Sequence, residues 1–163
     1  RLNITSYGMA WIAFIKGLNT SFGSLNFLEI VGASIHELPW FFAYMATAVA
    51  LILFYVVVYM WVTPHDEIAL IRENNAAAAT AFAGSLLGFS LPLASAIANS
   101  VSLVDCAIWG VIALVVQIAI FFLVRLPIPK ISERIEKNEI ASGVWLGGTS
   151  LAGGLLNAAS MTS

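Results

Sequence analysis

Asp105 is the acidic residue that sits beside an apolar run without a charged loop around it. A carboxylate held inside hydrocarbon is costly, and where one occurs it acts by default as a proton carrier or cation ligand. Two residues into a helix, the same group can instead stabilise the positive N-terminal end of the helix dipole. Gln117 falls in the middle of its apolar run, and Asn157 falls late in the last one, near the expected depth of Asp105. Either amide would seek a partner across a helix contact. Asp105, Asn99 and Asn157 near the outer face, with Gln117 deeper, form the candidate intramembrane polar site.

Other chemistry finds little support. His36 with Glu37 and His65 with Asp66 flank the first long apolar run on opposite sides, so the two pairs cannot share a metal, and neighbours in sequence rarely form a site. Cys106 is the single cysteine, which excludes an internal disulfide and multi-cysteine metal sets. No phosphate-binding loop, nucleophile–base arrangement or paired-carboxylate spacing occurs. The sequence therefore predicts no catalytic residues, no metal, no cofactor and no enzyme. A net charge of -2 without a basic stripe argues against nucleic acid as a partner.

The elements that would position these residues are membrane helices. With a mean hydropathy of +0.92, 60% hydrophobic and 10% charged residues, the chain departs from soluble proteins, in which about a quarter of residues are charged. Apolar runs at roughly 39–62, 75–98, 103–124 and 140–159 are each long enough to cross about 30 Å of hydrocarbon. The first is expected to start at Pro39, where a missing N–H costs little, with Trp40, Tyr44, Tyr59 and Trp61 as interfacial anchors. Residues 9–34 differ. Trp11, Phe14, Ile15 and Leu18 fall on one helical face among polar interruptions, the pattern of a helix lying in the headgroup plane.

Arg72 lies between the first two runs, and Arg125, Lys130, Arg134 and Lys137 lie between the last two. The positive-inside rule places both charged loops in the cytoplasm and both termini outside. Each loop reads as a short surface helix. Thr63, Pro64 and Asp66 resemble a cap, a first-turn proline and a capping-box acid. In the second loop Ile128, Ile131 and Ile135 share one face, while Lys130, Arg134 and Lys137 share the other, against anionic lipid headgroups.

An internal repeat runs through the chain at a spacing of 64 to 65 residues, pairing Ala77 with Ala141 and Gly84 with Gly148. The expected fold is all-α and integral to the membrane: four transmembrane helices as a parallel tandem repeat of two helical hairpins, plus an N-terminal interfacial segment. The domain reading is 1–38 for that segment, 39–99 for the first two-helix repeat and 100–163 for the second. Gly84 and Gly88, Gly143 and Gly147, and the nearby Gly148 and Gly154 make small-residue strips that let helix backbones approach closely. They read either as a tight core or as the lining of a pore. Pro92, inside the second run, removes a backbone hydrogen bond and should kink the helix there, as a static bend or a hinge.

The strings Leu70-Ile71-Arg72-Glu73-Asn74-Asn75-Ala76-Ala77-Ala78 and Gly88-Phe89-Ser90-Leu91-Pro92-Leu93-Ala94-Ser95-Ala96-Ile97, then Ser102-Leu103 with Asp105, Trp109-Gly110 and the ending Gly154-Leu155-Leu156-Asn157-Ala158-Ala159-Ser160-Met161, resemble one family. It is the bacterial inner-membrane family of YjfL, also described as domain of unknown function 350. The resemblance covers roughly 41–162. It implies a small four-helix bacterial inner-membrane protein with two copies of a two-helix unit, and brings no established activity. Together with the residues, it leads to the expectation of a structural or accessory subunit in the lipid bilayer, working as a homo-oligomer or with other membrane subunits. The alternative is a channel or transporter for protons, ions or a small solute.

Overall fold

The computed structural model of the chain describes Met9, Ile12, residues 27–64 and residues 66–162, with the side chains of 27–30 and 33 excepted. Among them the regular structure is entirely helical: α1 Phe27–Val62, α2 Glu67–Arg72, α3 Ala76–Asn99, α4 Leu103–Arg125, α5 Ile131–Glu136 and α6 Ile140–Ser160. The chain divides into two compact units, residues 1–42 and 43–163. In the first, the surface of α1 exposes Ile35, Trp40, Phe41 and Phe42, and His36 pairs with Glu37 at 3.8 Å, both exposed. The interfacial segment expected over 9–34 lies largely outside the described residues, as does His65.

Three helices are long and apolar enough to cross a membrane: Ser34–Val62 within α1, Ala76–Asn99 and Leu103–Arg125. The first differs from expectation. α1 begins at Phe27 and carries Pro39 in its interior, so the proline is not the helix start. α6 is of similar length at 21 residues, but its glycines, serines, Thr149 and Asn157 lower its apolarity.

The two loops fold alike. α2 and α5 are both six residues long and begin 64 positions apart. Each is followed by an asparagine in the left-handed region, Asn74 at φ 66 and Asn138 at φ 59, a conformation that asparagine tolerates better than most residues. After α2, Asn75 N donates to Leu70 O and Asn74 N to Ile71 O; after α5, Glu139 N donates to Arg134 O and Asn138 N to Ile135 O. These are the paired bonds of a Schellman motif, with asparagine in the usual place of glycine. The cap of α2 sits three residues later than the sequence suggests. Asp66 accepts from Ala69 N at 3.0 Å, while the Thr63 hydroxyl turns back to Tyr59 O at 3.0 Å.

The loops also clasp each other. Asn75 caps α3 by accepting from Ala78 N at 2.9 Å, and its Nδ2 donates to Ile135 O at 2.9 Å and Glu136 O at 3.1 Å. Asn138 accepts from Ala77 N at 3.0 Å. The orphan N–H groups of one helix start and the orphan carbonyls of the other loop helix are thereby satisfied together.

α3 and α6 run parallel and touch backbone to backbone. Gly143 abuts Ala77, Gly147 abuts Thr80 and Gly84, and Gly154 abuts Gly88, while Ser95 Oγ donates to Ala158 O at 3.1 Å. Contact positions advance together along both helices, which fixes the parallel sense. Pro92 explains one of these contacts. Lacking an N–H, it leaves the Gly88 carbonyl without its intrahelical partner, and that carbonyl points at Gly154, where any side chain would collide with it.

α4 lies over the α3–α6 seam, with Ile120 against Gly153 and Trp145 Nε1 donating to Val124 O at 3.1 Å. α1 reaches the bundle with one narrow stripe, Ala48, Leu51, Tyr55 and Tyr59. The rest of its surface in this unit, Val49, Leu53, Phe54, Val57 and Trp61, is exposed. Such an all-round apolar helix is the pattern of a membrane span.

Candidate functional site

The residues singled out in the sequence do not form one cluster. Asp105 is partly exposed at the first turn of α4; its Oδ2 accepts from Val101 N at 3.1 Å, and Ser102 Oγ accepts from Asp105 N at 3.2 Å. Ser102 thus caps α4, and Asp105 reaches back to the residue before that cap, one short of a capping box. Asn99 Nδ2 donates to Ser95 O of its own helix at 2.8 Å. Asn157 is half-buried and its Nδ2 has no protein partner. Among the described residues no hydrogen bond joins the three. A cleft of about 210 Å³ between Ala96, Asn99, Ser100, Trp109, Ser160 and Met161 takes in Asn99 alone of them.

Lys130, Arg134 and Lys137 are exposed. Lys130 pairs with Glu133 at 3.4 Å and Arg134 with Glu139 at 2.6 Å, so among the described residues Lys137 is the unpaired cation of this face. The glycines Gly84, Gly88, Gly143, Gly147 and Gly154 form the α3–α6 contact. Gly148 differs: a Cβ there would meet nothing within 4 Å.

Gln117 leads to a site that sequence reading did not assemble. It is fully buried, and its Nε2 donates to Ser150 O on α6 at 3.1 Å. A Cβ on Gly88 would fall 2.5 Å from both Gln117 Nε2 and Ser150 O. The bare backbone of Gly88 is what lets this amide lie across the seam. The Gln117 amide also approaches the Tyr55 hydroxyl. Tyr55 is 0% exposed, stacked on Phe89 at 4.5 Å, with its hydroxyl 2.8 Å from Ser85 Oγ.

One turn further along α1, Tyr59 packs edge-on to Phe121 at 5.3 Å and beside Phe82. Its hydroxyl comes near Ser85 and lies in the field of Glu67 and Arg125, with no hydrogen-bond partner among the described residues. Arg125 lies over the Phe121 ring at 5.1 Å and donates to Ser132 Oγ on α5 at 3.0 Å. Glu67 closes the loop end. It is 1% exposed, and burial raises its pKa above the ordinary value, with the Thr63 hydroxyl lowering it less and the Asp66 charge adding to the rise. Glu67, Tyr59, Ser85, Tyr55, Gln117 and Ser150 thus make a file of buried polar side chains. It runs from the loop helices to the α3–α6 seam.

Glu67 was missed because the sequence sets it in a charged loop, between Asp66 and Arg72. A signal was present: 64 positions on stands Ile131, and both residues open their loop helices and are buried.

The family model for the Domain of Unknown Function (DUF350) matches residues 33–161. The chain belongs to the DUF350 family. It is similar to the UPF0719 inner membrane protein YjfL of Escherichia coli (strain K12), 47% identical over 122 residues, which is 75% of this chain and 92% of the relative. The protein of the same name from Escherichia coli O157:H7 matches to the same extent. No solved structure matches the chain. The DUF350 match takes in the polar file and the glycine seam alike, and stops short of the first 32 residues.

Proposed function

We propose that this DUF350 protein is a structural or accessory subunit of an assembly in the bacterial inner membrane, formed with further copies of itself or with other membrane proteins. α6 is read as a fourth span beside the three longer apolar helices. The chain is then two hairpins in parallel repeat, α1 with α3 and α4 with α6, entered from one side. The 64-residue match of α2 with α5, down to their left-handed asparagines, supports that reading. Arg72, Arg125, Lys130, Arg134 and Lys137 favour loops in the cytoplasm and termini outside it.

The observation that carries the subunit reading is the open side of the α3–α6 pair. An apolar groove of about 510 Å³ lies there, lined by Thr80, Ala83, Gly84, Gly147, Gly148 and Leu151 among others. Its floor is glycine and alanine backbone, a surface on which another helix can approach closely in lipid. Inside the chain the seam is filled, with Gly84 on Gly147 and Gly88 on Gly154, which leaves no lumen between these helices.

Purification from native membranes in mild detergent tests this. A defined homo-oligomer or a stoichiometric membrane partner is expected, and a lone monomer would overturn the reading. The buried polar file is the observation behind a second reading, a proton or ion conductor, which needs the Gly88–Gly154 contact to open. For that, flux through proteoliposomes that Glu67→Gln abolishes is the required result.

A further inference from the structure

We propose that the buried file is a hydrated proton-binding site: Glu67 takes up a proton from the loop side, and water bridges the polar groups between it and the α3–α6 seam. The ligands are thus water and the proton, neither of which requires passage across the membrane. Three atoms in the file have no protein hydrogen-bond partner, Tyr59 Oη, Gln117 Oε1 and Ser150 Oγ, on side chains that are 1%, 0% and 0% exposed. Leaving such groups unsatisfied costs roughly 1–3 kcal/mol each. Folded proteins meet that cost with buried water, which bridges two to four polar groups at a time.

The repeat shows that packing does not demand polarity at four positions of the file. Sixty-four positions from Tyr55, Tyr59, Glu67 and Gln117 stand Ala119, Leu123, Ile131 and Leu53, each apolar, whereas Ser85 and Ser150, 65 positions apart, match each other across the repeat. Ile131 fills the buried first position of its loop helix without any polar atom. At those four positions polarity therefore stands in one of two equivalent settings. There it lies along one line, from Glu67 through Tyr59 and the Ser85–Tyr55 pair to Gln117 and Ser150.

Among the described residues, the charged and titratable groups that act on Glu67 and on Tyr59 beside it are each other, Asp66 at the start of α2 and Arg125 on α4. Asp66 opposes ionisation of Glu67. Arg125 is spoken for by Ser132 and the Phe121 ring. Proton uptake is a simple transfer: a hydronium ion at the loop surface gives its proton to a Glu67 carboxylate oxygen and leaves as water. The inner end is closed by the Gly88–Gly154 contact, which makes the file a blind one.

Infrared difference spectroscopy on the full chain in liposomes, titrated in H2O and D2O, tests this. One carboxyl is expected to protonate at higher pH than the rest, to exchange with D2O within the mixing time, and to vanish in Glu67→Gln. Tyr59→Phe and Gln117→Leu should each move its midpoint or band position, which joins the carboxyl to the file. If Glu67→Gln does not fold, Glu67→Asp must shift the midpoint instead. Absence of any such carboxyl, a band that resists exchange, or one indifferent to both Tyr59→Phe and Gln117→Leu would overturn the proposal.

Discussion

Glu67 holds its place at the expense of stability. Burial raises its pKa in the folded state, so the folded protein binds this proton more tightly than the unfolded chain does. Stability from this group is complete below the unfolded value, near 4.5, and is lost as pH rises through the folded one. Glu67→Gln should therefore raise the thermal midpoint at neutral pH and flatten its fall above pH 4.5; thermal melts across pH in detergent check this. Tyr55 is a second residue whose polar atom can be weighed. Tyr55→Phe strips Ser85 Oγ of its 2.8 Å partner and keeps the ring stacked on Phe89. A loss of about 1 kcal/mol is expected, read as a shift in midpoint with unchanged helix content.

The helices divide into those held by backbone and those held by side chains. α3 and α6 meet through glycines, so bulk at the seam has nowhere to go. Gly147→Leu and Gly154→Val should each cost about 1–3 kcal/mol or prevent folding, measured by denaturant-induced loss of ellipticity. α1 is held by Leu51, Tyr55 and Tyr59 reaching inward, and tolerates exchange among apolar residues on its other faces. Much of this was legible in the sequence, because run length, loop charge and small-residue spacing are local signals. The apolar runs, both loop helices and the strips of Gly84, Gly88, Gly143 and Gly147 could be read that way. The start of α1 could not: Pro39 looks like a helix beginning and sits twelve residues inside one that begins at Phe27. Nor could the polar file, since Glu67, Tyr59 and Ser150 come from three helices and meet only when the chain is folded. Asp105 drew attention through its charge alone, and in the structure that charge binds the backbone of Val101.

At the scale of the whole molecule, one face of the α3–α6 pair is covered by α4 and the other is the open groove that ends the small-residue surface in lipid. The subunit reading rests on that face, and Gly148 tests it with little strain on the fold, because a Cβ there meets nothing within 4 Å and opens onto the groove. The decisive measurement is native mass spectrometry of the wild-type protein and Gly148→Leu, released from the same mild detergent. A defined oligomer or a stoichiometric complex is expected for the wild type, with Gly148→Leu reduced to the single chain at an unchanged thermal midpoint. A wild-type protein that is a single chain throughout, or an assembly that Gly148→Leu leaves intact, would contradict the role given to this face.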